Sequence, residues 1–163
     1  MRRCLIALMV TLALTGAGVV EVAATASATN VAATSPLAQK SQGWHRDAMA
    51  LLNGYIEKYG STLSTSERAR VSVLIGKANT AMTRLDTAVQ AIATAPTAKA
   101  HRAAVAAALA RVEAAKAAAD SGVAEATPLL ASRMNVFEML GAKRDSARMM
   151  AELDELGTAI RKA

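Results

Sequence analysis

The chain has 163 residues, of which 53% are hydrophobic, 2% aromatic and 20% charged, with a net charge of +6. That length suits one packed core, and an alanine-rich composition so poor in aromatic residues argues against a sheet-based fold, which draws on aromatic and β-branched side chains. The one cysteine, Cys4, excludes disulfides within the chain and thiolate metal centres.

Met1-Arg2-Arg3 followed by the apolar run from Cys4 to Leu14 has the pattern of a secretory signal peptide. Ala26-Ser27-Ala28 fits the small-x-small cleavage pattern, with Val22-Ala23-Ala24 as a second candidate, so residues 1–28 are expected to form a cleaved signal peptide. An uncleaved anchor is the alternative, because the run from Cys4 to Val20 approaches the length of the shortest spans, roughly 17 residues. Cys4 precedes the apolar run, so it cannot be the lipidated cysteine that bacterial lipoproteins carry at their cleavage site. The pattern predicts export to periplasm, cell wall or medium, with no stable membrane span after cleavage. Residues 29–40 are small or polar, include Pro36 and lack apolar periodicity, and read as a flexible mature N-terminus ahead of a bundle domain over residues 41–163.

The first helix is expected over about Gln42 to Tyr59, where Met49, Leu52, Ile56 and Tyr59 share one row and Gly60 offers a stop. Ser64-Thr-Ser-Glu67 is a capping box that opens a second helix, and Thr94-Ala-Pro96 ends it. Within it Val71, Ile75, Ala78, Met82, Leu85, Val89 and Ile92 recur at spacings of four and three, one stripe on an α-helix. Gly54 and Gly76 are read as points where a neighbouring helix crosses closely. Thr97 caps a third, largely alanine helix running to Ser121, with Gly122 after it. Thr127-Pro128 then opens a fourth, with Leu130, Met134, Phe137 and Leu140 on one side. A last apolar row consists of Met149 or Met150 with Leu153, Leu156 and Ile160, and the charges between the two rows predict a break or kink near Gly141.

Short connections make consecutive helices antiparallel, giving an all-α, up-down bundle of four helices. The lengths are unequal: the first helix covers only the first part of the second, leaving Leu85 to Ile92 short of partners. The final segment is therefore expected either to fold back into that place or to dock on a partner through Met149, Met150, Leu153, Leu156 and Ile160.

No motif names a reaction. His45 and His101 are the only histidines; counting from the turns, His45 lies beside Asn79 and His101 beside Gln90, roughly 16 Å apart at 1.5 Å per residue. That is too far for one ion with ligands at about 2 Å. There is no haem-attachment motif and no Glu-x-x-His pair, so neither metal nor cofactor is expected. The methionines lie on apolar rows, where they fill a core. Nucleic-acid binding is disfavoured because the basic residues are scattered and have no aromatic residues among them; the same charges allow at most weak attraction to anionic envelope polymers. The leading expectation is an exported, non-enzymatic bundle that acts by protein–protein contact or self-association. The alternative is a small-molecule carrier with a cavity between helices near Tyr55, Tyr59 and Phe137. A weaker one is a helical enzyme acting on an anionic substrate through Arg133, Lys143, Arg144 and Arg148.

Overall fold

The computed structural model describes residues 35–163; the expected signal peptide and cleavage site lie outside the described residues. Four helices follow one another: α1 (Pro36–Tyr59), α2 (Thr65–Ala93), α3 (Ala98–Leu130) and α4 (Val136–Arg161), with a short 3-10 turn, Gly60–Thr62, between the first two. Each packs against its neighbour in the chain, and α1 against α4 closes the ring, an all-α up-down bundle. No strand occurs among the described residues. No described helix is long and apolar enough to cross a membrane.

The caps explain where the helices start. Ser64 Oγ accepts from the amide of Glu67 (3.3 Å) while Glu67 returns to the amide of Ser64 (2.8 Å), the capping box expected at the start of α2. Thr97 caps α3 through the amide of Ala100 at 3.1 Å. Two further caps lie outside the sequence expectations. Ser35 Oγ accepts from the amide of Ala38 (3.2 Å) with Pro36 at the first helical position, so α1 begins about six residues earlier than the apolar rows suggest. Residues 36–40, expected to be flexible, are helical. Asn135 and Glu138 form a second capping box, at 2.8 and 3.0 Å, and that is where α4 starts.

These two starts correct the expected layout. α3 runs on through Gly122 and Pro128, because no described glycine has the left-handed backbone of a helix-ending cap and because Pro128, two residues before the end, removes only one ladder bond. Thr127 donates to the carbonyl of Val123 at 2.7 Å and caps nothing. The break expected near Gly141 falls instead at residues 131–135, and α4 continues unbroken through Gly141. Gly54 and Gly76 are not close crossings, since a Cβ at either would meet nothing within 4 Å; buried Gly157 of α4 is the glycine that faces another helix, where an added Cβ would stand in ordinary contact, 3.5 Å, with Val112 of α3.

Antiparallel order brings the start of α1, the end of α2, the start of α3 and the end of α4 to one end of the bundle. Leu85, Val89, Leu153, Leu156 and Ile160 are fully buried there, together with Trp44, Met82, Ala108 and Val112. The expected shortage of partners beside Leu85 to Ile92 is therefore reversed. The first turns of α1 and the last of α4 fill that place, and it is Val71, Ile75 and Ala78, at the other end of α2, that remain half-buried. The row offered as a docking face is mostly core: Met149 is 8% exposed and Leu153, Leu156 and Ile160 are 0%, with Met150 intermediate.

Polar groups fasten the packed end. The Trp44 indole donates to the carbonyl of Met149 at 3.1 Å, joining α1 to α4. Ser41, fully buried, donates to Asp86 (2.5 Å), whose other oxygen faces His45 Nδ1 (2.6 Å). His45 Nε2 faces Asn79 at 2.9 Å, the neighbour that the register count predicts. This group contains the three residue types of a hydrolase relay, but in the wrong order. A nucleophilic serine must be accessible and bonded to the imidazole, whereas Ser41 is sealed and bonded to the carboxylate. It is a structural tie between α1 and α2.

Candidate ligand cavity

The opposite half of the bundle is hollow. A cavity of about 480 Å³ lies between all four helices, within the range of small-molecule sites, roughly 300 to 1,000 Å³. Its cause is legible in the side chains that face inward. In the packed half α2 and α4 contribute Leu85, Val89, Ile92, Leu153, Leu156 and Ile160. In the hollow half α3 offers Ala118, Ala119, Gly122 and Ala126, and α4 offers Ala142, Ser146 and Ala147. Interaxial distances of about 8 to 10 Å depend on the side chains at the contact; here the small residues of α3 and α4 leave space that the other two walls do not fill.

The other two walls are strongly apolar. Leu51, Leu52, Tyr55 and Ile56 of α1 face Val71, Leu74, Ile75 and Ala78 of α2. Trp44, Met82 and Met149 form the floor, where the cavity meets the packed core. Tyr55 and Tyr59 line it as expected, their rings stacked at 6.4 Å between centroids. Phe137 does not. It is 85% exposed, because the turn at residues 131–135 resets the helical phase between Met134 and Phe137. With Val136 (70% exposed) and Leu140 (56%) it forms an outward apolar group on the first turns of α4.

Ion pairs close the hollow end above the cavity. Arg133, in the α3–α4 turn, donates from Nη2 to both carboxylate oxygens of Glu67 (3.0 and 2.9 Å) and from Nε to the carbonyl of Thr62 (3.2 Å). One turn is thereby tied to the other. The backbone amide and hydroxyl of Ser64, with Arg133 behind them, hold the Glu67 carboxyl below its usual range. Lys58 pairs with Glu138 at 2.7 Å, tying the end of α1 to the start of α4. The Lys58 ammonium and the Asn135 amide lower the Glu138 carboxyl from 4.5 to about 2. Further down the same seam the Tyr55 hydroxyl donates to Asp145 at 3.2 Å, and burial together with that carboxylate raises the Tyr55 phenol. The Tyr59 hydroxyl is buried beside the Lys58–Glu138 pair.

Chemically the cavity is suited to holding rather than reacting. Among the described lining residues the ionisable groups are Tyr55, Tyr59 and Lys143, with no acid–base pair facing the interior. Arg133, considered for an anionic substrate, is committed to Glu67, and Arg148 to Asp145 and Glu152. No three metal-binding side chains converge among the described residues. The methionines that line the cavity, Met82, Met134, Met139 and Met149, are adaptable apolar surface. Family models, curated proteins and solved structures yield no match to this chain.

Proposed function

We propose that this protein is a carrier of an apolar small molecule held between its four helices, and that it works outside the cytoplasm, as its amino-terminal sequence predicts. The cavity carries the reading. It is an apolar space of about 480 Å³ walled by side chains of all four helices, the size and character of a small-molecule site. Such a space persists at the least cost when something apolar occupies it. The test is native mass spectrometry of the chain purified from its own host, together with thermal melting in the presence of 1-dodecanol. A retained small mass is expected, and at 100 times Kd the alcohol should stabilise the fold by about 2.7 kcal/mol, a rise of roughly 5 to 10 °C. No retained mass and an unmoved melting temperature would overturn the reading.

A second reading keeps protein contact as the activity and rests on the outward group Val136, Phe137 and Leu140. The row from Met149 to Ile160 cannot serve, being core. A second copy of the chain is the simplest partner for an apolar group of this size. Sedimentation should then show a dimer that dissociates in Phe137→Glu, and a wild-type chain that stays monomeric at high concentration removes this reading.

A further inference from the structure

We propose that the molecule carried is a single-chain amphiphile with an anionic head group, its chain in the cavity and its head on Lys143. The inference rests on the carrier reading and specifies its ligand. The first observation locates the mouth. The lining residues from α1 and α2 are all buried or half-buried, whereas the exposed ones, Val123, Thr127, Ala131, Lys143 and Ala147, all belong to α3, α4 and the start of the turn between them. The cavity therefore opens between α3 and α4.

The second observation concerns charge at that mouth. Lys143 is the one charged side chain among the described lining residues. Of the cations around it, Lys58 pairs with Glu138, Arg133 with Glu67, Lys116 with Asp154 and Glu113, and Arg148 with Asp145 and Glu152, while Arg144, next in the chain, does not line the cavity. Lys143 has neither an ion pair nor a hydrogen bond among the described residues. Its position on α4 explains why. It lies eleven residues before Asp154, close to a whole number of turns, so both stand on the edge of α4 that faces α3; Asp154 meets Lys116 there, and eleven residues beyond Lys116 the antiparallel α3 wall offers Lys143 only Val123, Ala126 and Thr127. No carboxylate lines the mouth to neutralise the ammonium.

These two facts define the ligand. The interior offers a few hydroxyls but no charged partner, so a charged head is best compensated at the opening, where the compact ammonium of a lysine meets carboxylate, sulfate or phosphate alike. At about 30 Å³ per water-sized group the interior has room for on the order of fifteen carbon atoms, one medium alkyl chain.

The experiment titrates the full chain with three twelve-carbon probes below their micellar concentrations: laurate, 1-dodecanol and dodecyltrimethylammonium. Binding is read by calorimetry at low and high salt. Laurate should bind roughly three- to fivefold more tightly than dodecanol, the scale of one exposed ion pair, and lose that advantage at high salt. The cationic probe should bind more weakly than the alcohol. Lys143→Gln should abolish the preference of laurate over dodecanol, Lys143→Arg should retain it, and Lys143→Glu should reverse it toward the cationic probe. Equal binding of laurate and dodecanol in the wild type, or a laurate preference unchanged in Lys143→Gln, would overturn the inference and leave the carrier standing. Failure of all three probes to bind would remove both. Given the laurate preference, dodecyl sulfate then tells whether the head must be a carboxylate: the same preference over the alcohol supports any compact anionic head, and its absence supports a carboxylate alone.

Discussion

Glu138 shows how much of the hollow end depends on single charged groups. Its carboxylate closes the capping box of α4 and pairs with Lys58 of α1; ionisation strengthens the first contact and is required for the second. Folding lowers its pKa from 4.5 to about 2. A carboxyl depressed on folding contributes its stability in full above the unfolded value, and the contribution disappears as pH falls toward the folded value. The loss should thus lie between pH 4.5 and about 2. Glu138→Gln should be less stable than wild type at pH 7, with the difference shrinking to nothing by about pH 2. Thermal melts at pH 7, 4 and 2 check it. A difference that stays constant with pH would show that the amide substitutes poorly for reasons of shape, and that the charge contributes little.

At the scale of the element, the chain advertises some boundaries and conceals others. The limits of α2 can be read directly, because Ser64 and Glu67 complete each other and Pro96 forbids continuation. Between Ser121 and Val136 the sequence offers three competing stops: Gly122, Thr127-Pro128 and Asn135 with Glu138. Only the last satisfies two backbone amides at once, and the clasp of Arg133 on Glu67, 66 residues away in sequence, fixes the turn just before it. No local pattern carries that contact. The start of α1 is concealed for a different reason. Residues 36–41 have no apolar row because Ser41 is buried by its bond to Asp86, a polar residue in a core position. The hollow half is the least legible, since an alanine run reads as permission for close approach and becomes a void only when the opposite walls are known. Gly141 gives the cleanest test of the revised element. It lies inside a continuous α4, and a Cβ added there would meet nothing within 4 Å. Gly141→Ala should therefore stabilise the protein by about 0.5 to 1 kcal/mol. Urea denaturation measures this, and a loss of stability would mean that the helix needs glycine there, as a true break would.

The whole molecule divides into a half that holds the fold and a half that leaves room, and the two should respond differently to the same chemical change. Leu156 is 0% exposed and packed among all four helices at the closed end. Truncating it opens a cavity where none existed, so Leu156→Ala should cost about 2 to 5 kcal/mol. Leu74 is half-buried on the wall of the existing cavity. Its neighbours on one side are already absent, so Leu74→Ala forfeits only part of a transfer energy and should cost less than about 1.5 kcal/mol. Binding should show the opposite order. Leu156→Ala, measured at a temperature where it remains folded, should bind dodecanol as the wild type does, because its site lies away from the cavity wall. Leu74→Ala should change the affinity, since the alkyl chain rests on that side chain. Urea midpoints and calorimetric affinities for the two variants decide the matter together. Equal costs in stability would mean that both halves are packed alike, and the carrier reading would lose the observation on which it stands. Unequal costs with unchanged binding in Leu74→Ala would leave the hollow real but place the alkyl chain elsewhere.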